Sequence, residues 1–329
     1  MSLDTPSEST AAQAEGGTES IDRRKLRWRR RLNALRSWGS LLKEDRLGQI
    51  GLAILAFFIL VGIFARPITV EIGPVWFQVQ PFSLAPHGYT DRVATEGLHG
   101  PTWAHPFGTT DLGRDVLSQV IIGTRATLIV GTIAAFMAVF IGANVGIVSA
   151  YYGGWVDDVL MRITDIVYGV PFLPFAIALV FILGATLVNV IVAIVLILWR
   201  GTARVVRSQV LSHKQRPYVE SARAIGASDF RIMYVQIMPN VLPLISLYAA
   251  FAVAWAVIAE ASLSFLGLGP QGMISWGEII YDVRSAGALR EAWWWVFPPG
   301  IAIMLFVMSV FFIGRSLEKV VNPDLRHGK

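Results

Sequence analysis

The side chains that most often carry catalysis or bind metals are few in this sequence, and their spacing fits neither role. The five histidines show no H-E-x-x-H or other metal-ligand spacing: His87, His99, His105, His213 and His327. Cysteine is absent, which excludes disulfides and thiolate-ligated metals. The sequence contains neither a G-x-x-x-x-G-K-[ST] phosphate loop nor a G-x-S-x-G nucleophile motif. We therefore predict a non-catalytic chain that itself binds no cofactor and no metal.

Ionisable residues at the ends of apolar runs are the next candidates, because a charge inside a membrane suggests a functional site. Asp158, Arg162 and Asp165 follow i, i+4 and i+7 spacing, so they share one helix face on which they can pair. Glu260 lies close to the end of another apolar run. We interpret both sets as structural ion pairs or caps near a membrane interface, with a functional carboxylate as the alternative. A proton-driven carrier would need titratable groups at mid-depth and inverted repeats, and neither is identified.

Long runs without any Asp, Glu, Lys or Arg show what must position these residues. The runs are Leu47–Ala65, Ala126–Val156, Ile166–Trp199, Ile232–Ala259 and Trp293–Gly314. The whole chain is 54% hydrophobic and 16% charged, with a mean hydropathy of +0.56, which is too apolar for an ordinary soluble domain. Roughly 20 apolar residues cross a bilayer as a helix, and lipid leaves no backbone group unsatisfied. The fold class is therefore an all-α polytopic membrane protein.

The run Ile166–Trp199 decides the number of spans. As one helix it would be about 51 Å long, far beyond the bilayer. Two helices fit if both extend past the flanking charges, with Gly184 and Asn189 on either side of the turn. We therefore predict six transmembrane helices, at about 47–66, 124–148, 157–184, 187–209, 240–263 and 293–315.

The positive charges orient these spans. Lys and Arg are concentrated in residues 22–46, 200–231 and 315–329, whereas the loops 67–123 and 264–292 hold few. Cytoplasmic loops carry the excess of Lys and Arg. The sequence therefore predicts a multi-pass protein of the plasma or inner membrane, with both termini and the 210–239 loop in the cytoplasm.

The remaining organisation follows from composition. Residues 1–21 are rich in Ser, Thr, Ala, Glu and Gly, which predicts a disordered cytoplasmic tail. Residues 22–46 place Trp and Leu at helical spacing among arginines, which predicts a basic amphipathic helix on the anionic leaflet. Nucleic-acid binding is the alternative, but membrane attachment already explains the arginines, so we expect no nucleic-acid partner. The other divisions are the first span, an extracytoplasmic cap segment, the permease core and a cytoplasmic tail: 47–66, 67–115, 116–316 and 317–329.

The cytoplasmic loop PYVESARAIGASDFRIMYVQIMPN, residues 217–240, has a local structure of its own. Pro217 fits the first turn of a helix, and Glu220 in that turn favours the helix N-terminus. Gly226 marks the helix end, since glycine adopts the left-handed conformation. Ser228 or Asp229 can cap a second helix. The pattern predicts a short helix, a glycine elbow and a second helix; an ordinary basic loop stiffened by caps is the alternative.

This loop resembles the EAA motif of permease subunits in ATP-binding-cassette importers, written roughly E-A-A-x3-G-x9-I-x-L-P. The matching positions and their neighbours in the motif are Glu220, Ser221, Ala222, Gly226, Ala227 and Pro239. Ser221 replaces the first Ala of the motif, Gln236 the Ile and Met238 the Leu. None of these departures changes the charge or the elbow.

Further motifs narrow the resemblance to the C-type permeases of dipeptide, oligopeptide and nickel importers. They are HPFGTTDLGRDVLSQVIIGTRATLIVG (105–131), YYGGWVDDVLMRITDI (151–166), EASLSFLGLG (260–269), SWG (275–277) and NPDLR (322–326). Two positions depart from the family pattern. Thr110 stands where an Asp is common, and Gly314-Arg315 stands where Gly-Asp is usual.

The resemblance implies a type I ABC importer transmembrane fold and a complex of several subunits. The partners would be a homologous second permease, two cytoplasmic ATPases that bind ATP and Mg, and an extracytoplasmic substrate-binding protein. The chain would form half of the translocation pathway for di- or oligopeptides, and Glu220–Gly226 would sit in a groove on an ATPase. Three alternatives stay open: nickel or another small solute within the same family, a secondary carrier or channel without ATP, and a membrane scaffold. The residues that contact substrate are not identified.

Overall fold

The computed structural model describes residues 45–72, 75–80, 82–95 and 97–321. The predicted tail 1–21, most of the predicted amphipathic helix 22–46 and the NPDLR motif lie outside the described residues. Where the chain is described, helices dominate: α1 (Arg46–Phe64), α2 (Val116–Tyr152), α3 (Gly154–Gly169), α4 (Phe172–Leu183), α5 (Leu187–Lys214), α6 (Pro217–Ala224), α7 (Asp229–Arg231), a π-helical segment (Ile232–Ile237), α8 (Met238–Phe265), α9 (Trp276–Ser285) and α10 (Trp293–Val321).

The predicted all-α polytopic architecture is confirmed. Among the described residues, five helices are long and apolar enough to cross a membrane, and the bent pair α3 and α4 gives a sixth span if it counts as one. The cap segment adds a feature that the sequence analysis did not predict, an antiparallel hairpin of β1 (Ile68–Ile72) and β2 (Val75–Gln80) in which Ile72 pairs with Val75. Helices therefore form the membrane-spanning part, and the strands are confined to a loop between spans.

The third predicted span, 157–184, is not one helix. α3 and α4 meet at 91°, and the break lies at Val170 and Pro171. Val170 is extended, with φ −85° and ψ 120°, as expected of a residue whose α conformation is opposed by the following proline ring. The expectation of a single straight helix is wrong because the long uncharged run hides a local backbone constraint.

Two other spans extend beyond the predicted bounds. α2 begins at Val116 instead of 124, because the Asp115 side chain caps it by accepting from the Ser118 backbone N–H at 2.8 Å. The charge of Arg125 does not end this helix, since its guanidinium donates to the carbonyls of Gly62 and Arg66 at the end of α1. The predicted span 240–263 is likewise the later part of a continuous helical stretch, Asp229–Phe265.

The centre of the bundle is α2 packed against α5 and α8 through small residues. A Cβ atom at Gly142 would clash with the Trp199 carbonyl oxygen, and one at Gly146 would lie 2.5 Å from the Ala203 carbonyl oxygen. In lipid, helix association depends on close packing, and G-x-x-x-G spacing lets two backbones approach. Gly142 and Gly146 therefore set the separation of α2 and α5, the helix that leads into the cytoplasmic loop.

Candidate functional site

The 210–239 loop, predicted to be cytoplasmic, folds into the predicted helix, elbow and second helix. α6 carries Pro217 at its first position and ends before Gly226, whose φ is +76°. The Ala227 N–H donates to the Ala222 carbonyl at 3.0 Å, and the Gly226 N–H donates to the Arg223 carbonyl at 2.9 Å. These two bonds form a Schellman cap, which satisfies the last carbonyls of the helix and fixes the chain direction after it. The predicted left-handed glycine is confirmed.

The second helix begins at Ser228, whose Oγ accepts from the Arg231 N–H at 3.4 Å. Of the two predicted caps, Ser228 is therefore the one that is used. The following turns are π-helical, and the Met238 N–H donates to the Met233 carbonyl before Pro239, which has no N–H, enters α8. π-helical turns are rare in proteins overall, and those that occur often lie at functional sites. The elbow is thus joined to the fifth span by an irregular segment.

The elbow exposes two large apolar side chains. Ile225 is 84% exposed and Phe230 is 67% exposed, and they lie on either side of Gly226. Val219 and Ala222 of α6 are buried and pack against the bundle. We name Ile225, Gly226 and Phe230 the elbow surface. Large apolar side chains exposed on an otherwise polar loop make the elbow surface a candidate interaction site. Ile225 and Phe230 lie outside the motif positions, so the motif did not point to them.

The predicted coupling residues divide between this elbow and its support. Glu220 and Ser221 are exposed on α6, and the Ser221 Oγ donates to the Pro217 carbonyl at 2.9 Å. Ala222 is buried, so its role is to pack α6 against the bundle. Ala227 completes the Schellman cap, whereas Pro239 lies at the start of α8, beyond the π-helical segment. The structure therefore brings all the motif positions except Pro239 together at the elbow.

A tyrosine attaches α6 to the end of α5. The hydroxyl of Tyr218 lies 3.1 Å from Nδ1 of His213. Burial raises the pKa of the Tyr218 phenol, so it stays protonated at neutral pH. This contact and the buried Val219 hold α6 against the bundle, so that the opposite face of α6 is the one available to a partner.

Of the predicted structural ion pairs, the one at Asp165 forms, but its partner lies outside α3. Asp165 pairs with Arg204 of α5, with Oδ1 and Nη2 2.5 Å apart. Among the described residues, Asp158 and Arg162 form no ion pair with each other or with Asp165. The physical reason is that Arg204 of α5 packs against α3, with its guanidinium carbon 4.0 Å from the centre of the Tyr168 ring, and from there it reaches Asp165.

Two more arginines of α5 hold α3. Arg207 binds Asp157 through two bonds, Nε to Oδ1 at 2.6 Å and Nη2 to Oδ2 at 2.5 Å. Arg200 donates through Nη1 to the carbonyl of Val167 at 2.5 Å and to that of Val170 at 3.4 Å. Carbonyls freed by a helix break inside a membrane need such a partner. The bent shape of the third span is therefore stabilised by α5.

The ion-pair interpretation of Glu260 is wrong for the described residues. Glu260 is fully buried; its Oε1 accepts from Ser264 Oγ at 2.6 Å, and its Oε2 has no described hydrogen-bond partner. Its neighbours include other carboxyl groups. The pKa of Glu278 on α9 is raised to about 7, mainly by burial and further by the negative charges of Asp282 and Glu260. The neighbourhood of Glu260 is acidic instead of ion-paired.

The histidines are less scattered than their spacing indicates. The rings of His87 and His105 lie 5.9 Å apart, and Nδ1 of His105 lies 3.0 Å from Oδ1 of Asp115, the residue that caps α2. No group of three or more His, Cys, Asp or Glu side chains within the described ranges has the geometry to hold a metal ion. We interpret these contacts as fixing the start of α2.

A cavity of about 570 Å³ lies beside the break in the third span. Tyr168, Phe172, Arg200, Phe251 and Trp255 are among its lining residues, which come from α3, α4, α5, α8 and α10. Most of the lining is apolar, which is typical of small-molecule sites. No substrate-contacting residue was predicted, because spacing along the chain cannot reveal a cavity formed by five helices.

The known proteins that this chain resembles are membrane components of transport systems. Residues 139–327 match a family described as binding-protein-dependent transport system inner membrane component. The chain is 35% identical over 286 residues to a dipeptide transport system permease protein of Alkalihalophilus pseudofirmus, covering 87% of this chain and 88% of that protein. It is 36% identical over 284 residues to an oligopeptide transport system permease protein of Haemophilus influenzae, covering 86% of each.

A glutathione transport system permease protein of Pectobacterium atrosepticum is 36% identical over 228 residues, covering 69% of this chain and 75% of that protein. Among solved structures, inward-facing conformations of the MetNI methionine ABC transporter cover 63% of this chain and 95% of that chain, with a TM-score of 0.49 and 20% identity. We take the family from the sequence matches alone.

Proposed function

This chain belongs to the family of inner-membrane components of binding-protein-dependent transport systems, and we propose that it forms half of the pathway through which an ATP-driven importer takes up peptides. As a member of this family it is a permease subunit without catalytic activity. Short peptides are the favoured substrate class because the relatives are named for dipeptides, oligopeptides and glutathione. Nickel and other small solutes are the alternative within the same family.

The observation that carries the proposal is the elbow surface. Its backbone direction is fixed by the Schellman cap, and it presents Ile225 and Phe230 to the cytoplasm. Burying each of these side chains in a partner would contribute roughly 1.5–3 kcal/mol. Because the chain contains no phosphate loop, the energy of ATP must come from such a partner. The elbow surface therefore fits a groove on a cytoplasmic ATPase subunit, with ATP and Mg bound by that subunit.

The rest of the complex follows from this arrangement. The cavity is only partly enclosed by this chain, so a homologous second permease would complete the pathway. The cap segment 67–115 would face the extracytoplasmic binding protein, with both termini in the cytoplasm. Closure of two ATPases would then move the two bundles between inward-open and outward-open states.

A carrier that works without ATP is the second candidate, and the buried carboxyl of Glu260 is the observation that favours it. Such a carrier needs no cytoplasmic partner and gains nothing from an exposed elbow surface. The two candidates therefore differ in what the elbow surface binds.

Purification of the chain from its native membrane tests the proposal. We expect a second permease and ATPase subunits to co-purify, and mass spectrometry to identify a bound peptide. Ile225→Asp and Phe230→Asp should release the ATPase while leaving the second permease bound, because a charge on the elbow surface would have to be desolvated. Ser212→Ala, which lies outside the elbow, is the control. A chain that purifies without any ATPase, or that keeps it in both variants, would contradict the proposal.

A further inference from the structure

Two adjacent tyrosines end α2, and their environments differ. Tyr151 is 5% exposed, and its hydroxyl donates to Oδ1 of Asp229 at 2.6 Å. Tyr152 is 50% exposed, and its hydroxyl forms no hydrogen bond with the described residues. Asp229 lies in the first turn of the second elbow helix. The Tyr151 hydroxyl therefore joins the cytoplasmic end of α2 directly to the elbow.

Two cations surround the same ring from other helices. The guanidinium carbon of Arg223, on α6, lies 5.5 Å from the centre of the Tyr151 ring. Nζ of Lys214, at the end of α5, lies 6.0 Å from the ring centre and 3.3 Å from the Ala150 carbonyl, to which it donates. Cations over an aromatic face are attracted by its electron density. We name Tyr151, Asp229, Arg223 and Lys214 the Tyr151 clasp, which joins α2, α5, α6 and α7.

The last turn of α2, which carries Tyr151, is itself fixed. The Gly153 N–H donates to the Ser149 carbonyl at 2.9 Å, which ends α2 cleanly. The Ser149 hydroxyl also donates to Oδ1 of Asp157, the carboxylate that binds Arg207. The last turn of α2 is therefore tied to α3 and α5, so a displacement of Asp229 would be passed to three helices of the bundle.

We propose that Tyr151 is a positioning residue that transmits motion from the elbow to the bundle. This inference rests on the proposed function and gives a role to the YYGG part of the sequence, which the coupling motif does not explain. Besides the clasp, the elbow is connected to the fifth span through the π-helical segment and is held to the bundle by the contact of Tyr218 with His213 and by apolar packing of Val219 and Ala222. Apolar packing is non-directional, whereas a hydrogen bond to a carboxylate fixes an orientation.

The experiment compares two single-atom changes in a reconstituted complex of this chain with its second permease, ATPases and binding protein. Tyr151→Phe removes the hydroxyl that binds Asp229, and Tyr152→Phe removes the neighbouring hydroxyl as a matched control. The measured quantity is the number of peptides taken up per ATP hydrolysed. We expect Tyr151→Phe to lower this ratio at least about fivefold, since it removes a hydrogen bond to a charged group. We expect Tyr152→Phe to leave this ratio unchanged. Neither variant should change the co-purification of the ATPase.

Variants of Asp229, which accepts the hydrogen bond, test the same contact even if Tyr151→Phe were to disturb the fold. Asp229→Ala should reproduce the loss, and Asp229→Asn should restore most of it, because an amide oxygen can still accept from the tyrosine. The double variant Tyr151→Phe/Asp229→Ala should be no worse than either single variant, because both changes remove the same contact.

An unchanged ratio for Tyr151→Phe, equal losses for Tyr151→Phe and Tyr152→Phe, or multiplied losses in the double variant would overturn the inference. These outcomes presuppose that the wild-type complex takes up peptide with ATP. If it does not, the proposed function fails instead, so the two failures are distinguishable.

Discussion

Replacement of Gly226 tests whether the elbow acts through its shape. Its φ is +76°, and no described atom lies within 4 Å of the position that a Cβ would occupy. A new side chain therefore meets no obstacle within this chain, and the penalty is that of the left-handed backbone, about 1–2 kcal/mol for an L-residue. Since about 1.4 kcal/mol is a factor of ten, the correctly turned elbow should be depleted roughly 5- to 30-fold.

The substitutions have a predicted order. Gly226→Asn should be the mildest, because Asn tolerates the left-handed region, and Gly226→Ala should be intermediate. Gly226→Val should be the most severe, since a β-branched residue with positive φ is a true outlier. The assays are ATPase co-purification and ATP-dependent uptake at matched expression and membrane insertion.

Gly272 supplies a matched control on the other predicted face of the membrane. Its φ is +79°, and the space around it is equally open among the described atoms. Gly272→Val should carry a similar backbone penalty yet leave ATPase co-purification intact. Normal docking and uptake by Gly226→Val would refute the reasoning. A loss of docking in Gly272→Val, or a loss in Gly226→Val that is due only to misinsertion, would refute it equally.

Three further predictions follow from the structure. The pKa of the Glu278 carboxyl is about 7 in the folded protein against its ordinary 4.5, so the free energy of unfolding should fall as pH rises between these values. Glu278→Gln should make that fall smaller in thermal unfolding measured from pH 4 to pH 8, and an unchanged pH dependence would contradict the assignment. Gly146→Leu should lower the thermal midpoint of the purified protein, because its Cβ would lie 2.5 Å from the Ala203 carbonyl oxygen, and an unchanged midpoint would contradict the packing. Single cysteines, in a chain that has none, should react with an impermeant reagent from outside at Gly287 and only from inside at Ser212. External labelling at Ser212 would contradict the predicted topology.

The elbow could be predicted from the sequence because its determinants are local. Pro217 starts the helix through its own ring geometry, and Gly226 ends it because only glycine adopts a positive φ without strain. Ser228 caps through a bond three residues away. Each of these effects acts within one turn of chain, so neighbouring residues are sufficient to recognise it. The membrane spans were predictable for a similar reason, since lipid imposes one apolar length on every helix.

The contacts between helices could not be predicted in this way. Asp165 has Arg162 within one turn but pairs with Arg204, because the packing of α3 against α5 decides which charges meet. The break at Pro171 was missed because hydropathy does not register the backbone of Val170. The exposure of Ile225 and Phe230 also depends on how α6 and α7 pack against the bundle. These features require the tertiary arrangement.

ATP-driven uptake is the most direct test of the account. Proteoliposomes would contain this chain with its second permease and ATPases. Binding protein and labelled dipeptide would be added on the extracytoplasmic side, and ATP would be supplied on the side of the membrane that carries the elbow surface. The account predicts accumulation of dipeptide that requires both ATP and binding protein and stops when ATP is removed. Uptake of dipeptide without ATP, driven by a proton gradient or by the dipeptide gradient alone, would contradict the account.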